Sequence, residues 1–416
     1  MTIDKAVATK GNYISNKTAA EAGALIVPLY LMDCSGTRKV GIEVTLTVPT
    51  DPSHSVTRLY EFDTGGKGFW ASGDGLGAAT ENSLGSIVTQ YTSGITYLGQ
   101  AVPLTVTLNA APGLGGPSAK SADVVVGLVS DLYELKPVLL TELNQEEEQK
   151  FETESQFPIY DYFYGDFGVS LAATAIVPAK QQPVVLNHPL PSSVPSLNGY
   201  NEYSILGALS QFQPNTSNPF FIVDLANTDA DTVWGGNPPT PAGDAANSVT
   251  GVGRLIIGGS ATLMEGFQHI FPILPNPGGT FYSPTGTSAA QTNFVVATEQ
   301  QIAGTVSVQN ESNPPALDTT FTMDTGCPEV TLHAGSKLTQ PAYTPGTVTL
   351  TAKDTSGKTV TLYSNGQGKW DSTVSSGAPA GYVNSALDPF LKRPTAFWLC
   401  ANEKERPLTV PGIVGM

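Results

Sequence analysis

Two Asp-Thr-Gly triplets carry the clearest chemical potential in this chain of 416 residues. Asp63-Thr64-Gly65 lies in EFDTGGKGFW, and Asp324-Thr325-Gly326 lies in FTMDTGCPEV. Each follows an apolar, strand-like approach, RLYEF in one half and TTFTM in the other. A strand can deliver a carboxylate to a sharp turn in this way. The glycine permits the tight backbone and brings its N–H close to a carboxylate oxygen. The threonine hydroxyls can hydrogen-bond across to the opposite loop. If the two carboxylates meet, like charges about 3 Å apart cannot both ionise, and the pair shares a proton. One carboxylate then activates a water while the other protonates a carbonyl.

The elements that must position these turns read as short strands. Residues 24–62 contain ALIVPLYLM, KVGIEVTLTV and SVTRLYEF, rich in β-branched residues, partly alternating and separated by turn residues. SIVTQYTSGITYLG, AVPLTVTL and DVVVGLV continue the style, and RLIIGG reads as a buried strand ending in a glycine turn. The second half repeats it with TNFVVA, GTVSVQ, TTFTM and a hairpin, TVTLTAKDTSGKTVTLY, turning at DTSG. The 43 Gly and 32 Pro punctuate many short elements rather than long helices. The fold class expected is all-β. Residues 1–23 are polar and read as an N-terminal arm, and 141–155 form an acidic run that reads as a solvated surface insertion. The Pro-rich stretch 176–200 reads as extended loop.

Composition narrows the function classes. Asp+Glu outnumber Lys+Arg by 36 to 20, for a net charge of −16, which excludes a general nucleic-acid binder. No apolar run is long enough to span a membrane as a helix. The N-terminus has no apolar signal core, so either a cytoplasmic protein or a secreted one with its leader removed is expected. Cys34, Cys327 and Cys400 make no disulfide framework and have no zinc-type spacing. Asp224, Asp229 and Asp231 lack the spacing and glycine of a calcium loop, and read as solvated loop. Sequons stand at Asn16, Asn215 and Asn310.

Taken with their flanks, the triplets resemble those of the pepsin-like aspartic peptidases. KVGIEVTLTVPTDPSHSVTRLYEFDTG resembles that family's opening strands and first catalytic loop. QYTSGITYLG resembles its flap hairpin, which makes Tyr91 the flap tyrosine and Gly94 a flap-tip glycine. Trp70 falls where the family has a tryptophan behind the flap, with the flap tyrosine as its hydrogen-bond partner. YGDFGVSLA, Ile205-Leu206-Gly207, GRLIIGG and ALDPFLKRPTAFWL resemble further family segments, so the similarity runs from about Ala24 to Leu408.

The resemblance implies two β-barrel-like lobes with a central cleft. The lobes are expected at 24–260 and 261–416, with 101–160 and 171–200 as insertions. It implies Asp63 and Asp324 as the catalytic pair, supported by Thr64, Gly65, Thr325 and Gly326. It implies a peptide or protein substrate, no metal or organic cofactor, and a monomer. The chain departs from the family pattern at Gly66, where a serine is usual, at Cys327, where Thr or Ser is usual, and at Ser385-Ala386-Leu387, which lacks a glycine. These departures keep an alternative open: a pepsin-fold protein with weak or no hydrolysis that binds peptide, carbohydrate or a partner protein. An unrelated β-sandwich with coincidental triplets is the third class, separable by the absence of a deep cleft. Cys327 reads as a buried thiol in place of a hydroxyl rather than a nucleophile. His333 is the one histidine near enough in sequence to pair with it.

Overall fold

The computed structural model describes residues 14–91, 95–135, 151–154, 156–172, 204–212, 220–229, 233–276, 296–297, 302–309, 317–328, 330–333, 347–365, 382–399 and 412–415. The all-β class expected from the sequence is the class observed. In chain order the first strands are β1 (Leu25–Cys34), β2 (Thr37–Val48), β3 (Asp51–Asp63), β4 (Phe69–Ser72), β5 (Gly85–Gln90), β6 (Thr96–Asn109) and β7 (Ala119–Leu135). They are followed by β8 (Phe151–Glu154), β9 (Gly165–Gly168), β10 (Phe220–Asp224) and β11 (Val249–Ile257). Next come β12 (Ile270–Pro272), β13 (Pro275–Asn276), β14 (Val296–Ala297), β15 (Ile302–Gln309), β16 (Leu317–Thr322) and β17 (Thr331–His333). The chain closes with β18 (Thr347–Lys353), β19 (Thr359–Asn365), β20 (Tyr382–Asn384), β21 (Thr395–Leu399) and β22 (Gly412–Gly415).

The alternation in the sequence becomes a core face. Val40, Ile42, Val44, Leu46 and Val48 of β2 are buried, while Glu43, Thr45 and Thr47 between the last four are partly exposed. A 14-stranded sheet carries the first triplet, and a six-stranded sheet, ordered β17-β20-β16-β15-β18-β19, carries the second. Within the large sheet β6 also pairs with β2, which closes β2, β3, β9, β4, β7 and β6 into a barrel-like ring. After residue 395 the chain returns to the large sheet, where β21 lies between β10 and β22.

AVPLTVTL and DVVVGLV form strands, as read from the sequence: the β6–β7 pairing runs from Thr96↔Tyr133 to Asn109↔Ala119 and buries Val102, Leu104, Val106, Val124 and Val126. Alternating β-branched residues on both strands account for this. Two sequence readings change. Within the N-terminal arm, Asn16–Glu21 forms a helix capped by the Ser15 hydroxyl, with Ala19 buried. Asp224 is not solvated: it is buried and paired with the fully buried Arg254, whose Nη1 also donates to Asn16 Oδ1 at 2.6 Å. A buried aspartate needs such a partner.

Each triplet leaves a strand that is backed by a short parallel neighbour. In β3, Glu61, Phe62 and Asp63 face Asp166, Phe167 and Gly168 of β9. In β16, Thr320, Phe321 and Thr322 face Tyr382, Val383 and Asn384 of β20. Phe62, Phe69 and Phe167 pack beneath the first loop, with Phe69 edge-on to Phe167 at 4.9 Å. Phe321, Met323 and Leu387 from beneath the second loop belong to the same core. Both turns are thereby seated on one apolar floor.

Candidate active site

The two turns meet with near two-fold symmetry. Thr64 N donates to Thr325 Oγ1 and Thr325 N donates to Thr64 Oγ1, each at 3.0 Å. The hydroxyls donate onward, Thr64 to Met323 O and Thr325 to Phe62 O, each at 2.7 Å. Both threonines are buried, so their four hydrogen bonds form away from competing water. Gly65 N donates to Asp63 Oδ1 at 2.7 Å, and Gly326 N to Asp324 Oδ1 at 2.8 Å. Glycine is required at both third positions. A Cβ on Gly65 would lie 2.5 Å from Asp324 Cγ, and one on Gly326 would lie 2.4 Å from Asp63 Cγ. The two carboxyl groups therefore face each other across the paired turns.

The symmetry ends at the second layer. Asn384 Nδ2 donates to Asp324 Oδ2, and Cys327 N donates to Asp324 Oδ1 at 3.2 Å. On the other side Lys39 Nζ donates to Glu61 Oε1 and to Gly326 O, each at 2.6 Å, and stands over the Tyr160 ring. Burial would depress the Lys39 ammonium, but Glu61, Tyr160 and Asp63 together outweigh that and raise it. Burial raises Glu61 despite the lysine. Burial and then the Asp324 carboxylate push Asp63 well above the ordinary aspartate range. That is the condition for a pair holding one proton.

Tyr91 follows β5, and its N–H donates at 2.8 Å to the carbonyl of Ile95, which precedes β6. Its hydroxyl donates to Asp166 Oδ2. Trp70 is buried against Tyr97, at 5.7 Å between rings, and its Nε1 donates to Lys67 O at 2.9 Å. The hydrogen bond from Trp70 to Tyr91 that the resemblance implies is thus replaced on both sides: Asp166 takes the tyrosine and a main-chain carbonyl takes the indole. Gly94 lies outside the described residues, as do Cys400, Asp231 and the side chain of His333. Cys34 and Cys327 are unbridged thiols, and no cluster suited to a metal ion occurs among the described residues. Gly207 passes against the chain that backs the first loop, where a Cβ would lie 2.4 Å from Ser170 O.

No family model and no curated protein sequence matches the chain. Among solved structures it is similar to the aspartic proteinase from Irpex lacteus, at 15% identity and a TM-score of 0.42. It is also similar to basic 7S globulin from soybean, at 9% identity and a TM-score of 0.43. Each alignment covers 94% of this chain and 96% of the other.

Lys39, Glu61, Asp166 and Asn384 surround the pair and were not singled out by sequence reasoning. Their signal was there for three of them: a charge inside an otherwise apolar strand, as in RKVGIEV, RLYEF and YGDFG. Such a charge must be exposed, paired or functional. Asn384 carried no comparable signal.

The buried acids set a pH dependence of stability. Asp63 and Asp166 are both held well above the ordinary value, each chiefly by burial. Above pH ~4 the unfolded chain has released these protons while the folded chain keeps them. Their contribution is therefore fully present in acid and is lost as pH rises through the raised values. The melting temperature is expected to fall between pH 4 and pH 8, and to fall less steeply in Asp63→Asn. A wild-type profile no steeper than that of the variant would refute this.

Proposed function

We propose that the chain is an aspartic endopeptidase. The observation that carries this reading is the reciprocal placement of the turns, with each glycine backbone against the opposite carboxyl and each threonine locked to the other loop. Segments 24–260 and 261–416 are read as the two halves that supply one aspartate each. An extended peptide would lie over the pair, beneath the β5–β6 hairpin that ends in Tyr91, held by strand-like main-chain hydrogen bonds. The pair carries one proton. The ionised carboxylate takes a proton from water as the water attacks the scissile carbonyl, and the protonated carboxyl donates to the carbonyl oxygen. The tetrahedral intermediate then collapses: the carboxyl that took the water proton gives it to the leaving amine, the other recovers its proton from a hydroxyl of the intermediate, and no covalent link to the protein forms.

One observation favours a second reading, a binding protein of this architecture with little hydrolysis. Asn384 Nδ2 already donates to Asp324 Oδ2 and takes one of the acceptor positions open to an attacking water. Peptide, carbohydrate or a partner protein would then occupy the cleft.

The test is digestion of an unfolded protein between pH 2 and pH 8, with and without a peptide carrying a statine in place of the scissile residue. Cleavage is expected to follow a bell-shaped profile and to be blocked by the statine peptide. Because Asp63 holds its proton unusually well, the alkaline limb is expected above the ordinary carboxylate range. Folded protein that cleaves nothing at any pH would move the assignment to the binding reading.

A further inference from the structure

Position 66 has no room for a side chain, and a third carboxyl is the reason. A Cβ built on Gly66 would lie 2.6 Å from Asp166 Oδ2, 2.9 Å from Asp63 Oδ2 and 3.0 Å from Asp63 Cβ. Two carboxyl oxygens thus close on one point beside the first turn. Asp166 stands on β9 opposite Glu61, two residues before Gly168, the partner of Asp63. It is 3% exposed. Its Oδ2 accepts from the Tyr91 hydroxyl, and its Oδ1 meets no hydrogen-bond partner among the described residues.

Titratable groups face Asp166 from every side. Glu61 comes from β3, and Lys39, bound to Glu61, from β2. Asp63 and Asp324 come from the turns, and Tyr91 and Tyr97 from the β5–β6 hairpin. Burial, and then Glu61, hold Asp166 well above the ordinary aspartate range. In acid it is therefore a neutral carboxyl with an O–H to donate.

We propose that Asp166 is a positioning residue for the aspartate pair: its carboxyl fills the space a side chain at position 66 would take and, anchored by Tyr91, holds Asp63 Oδ2 toward Asp324. The proposal rests on the peptidase reading of Asp63 and Asp324. It also ties the hairpin to the pair, since the Asp166 oxygen beside Gly66 is the one that receives Tyr91. Once Asp166 ionises, its charge repels that of Asp63 and the arrangement fails. The alkaline limb of activity thus reports Asp166 as well as the pair.

Four variants test this: Asp166→Ala, Asp166→Asn, Gly66→Ser, and Gly66→Ser with Asp166→Ala. Asp166→Ala is expected to lower kcat/KM by about 10-fold or more, since it removes the acceptor of the Tyr91 hydroxyl and the carboxyl that closes on Asp63 Oδ2. Asn keeps the shape and an acceptor for Tyr91, and carries no charge at any pH. It is expected to recover most of that loss, with an alkaline limb that is shallower, one titrating group fewer, and shifted downward with the Asp63 titration. Gly66→Ser alone is expected to impair the enzyme by collision. In the Asp166→Ala background the serine enters the vacated space, reaches Asp63 and restores activity.

A readout without turnover accompanies these: titration of aspartate carboxyls by NMR in selectively 13C-labelled protein. The Asp63 titration is expected to shift downward in Asp166→Asn. If wild type cleaves but Asp166→Ala matches its rate, or the Asp166→Asn limb is unmoved, the proposal is overturned and the peptidase reading stands. If wild type is inactive and the Asp63 titration still shifts, the peptidase reading falls and the positioning role stands. An unmoved Asp63 titration overturns the role in either case.

Discussion

Lys39→Met is expected to destabilise the protein by about 3–5 kcal/mol, the usual cost of removing one partner from a buried ion pair. Lys39 and Glu61 side chains are 6% and 8% exposed, and their ion pair spans 2.6 Å. Methionine fills the stem of the lysine but leaves the Glu61 carboxylate with no cation in a buried site. It also strips the donor from Gly326 O, in the turn that carries Asp324. The damage therefore reaches both turns, although Lys39 lies on β2. Glu61→Leu added to Lys39→Met is expected to recover much of the loss, because replacing both charges removes the unpaired carboxylate. Urea unfolding at neutral pH measures both effects. A loss under about 1 kcal/mol for Lys39→Met, the range of an exposed pair, would show that the pair is not buried as described.

Under the proposed peptidase function, Asp63→Asn and Asp324→Asn are each expected to lower kcat/KM by at least about 10³-fold, since each would remove a general acid–base group. The amide keeps the volume and can still accept from the glycine N–H of its own turn. What it cannot do is exchange a proton with its partner. Stability should move the opposite way for Asp63. Its raised titration means that the folded state destabilises the ionised form, so the neutral amide relieves a cost that grows with pH. At neutral pH Asp63→Asn is expected to melt no lower than wild type. Lost activity with retained or increased melting temperature would separate a chemical role from a structural one, and an inactive variant that also unfolds early would not support the account.

The turns were legible because few residue types can do what they do. An aspartate at a strand end followed by Thr-Gly states a carboxylate, a hydroxyl for cross-bonding and a backbone without Cβ, and all three are used. The β2 and β18–β19 patterns were equally plain, since alternation at period two leaves one face to bury. The charged layer was harder. Lys39, Glu61 and Asp166 lie far apart along the chain, and only the adjacency of β2, β3 and β9 brings them together. Asp166 also alters the expectation for Tyr91, whose hydroxyl goes to that carboxyl rather than to Trp70. The β6–β7 pairing was legible as strands. Its place inside the ring was not, because the closing contact of β6 with β2 is a long-range pairing.

The most direct test of the account compares wild type, Asp324→Asn and Cys327→Ser in one cleavage assay at the optimal pH. Cys327, whose backbone N–H donates to Asp324 Oδ1, is the competing candidate for a nucleophile. Asp324→Asn is expected to fall to the uncatalysed background and Cys327→Ser to stay within about 3-fold of wild type, a difference of under about 1 kcal/mol in barrier. Cleavage by Asp324→Asn at the wild-type rate, or its loss in Cys327→Ser, would contradict the claim that the aspartate pair activates the water.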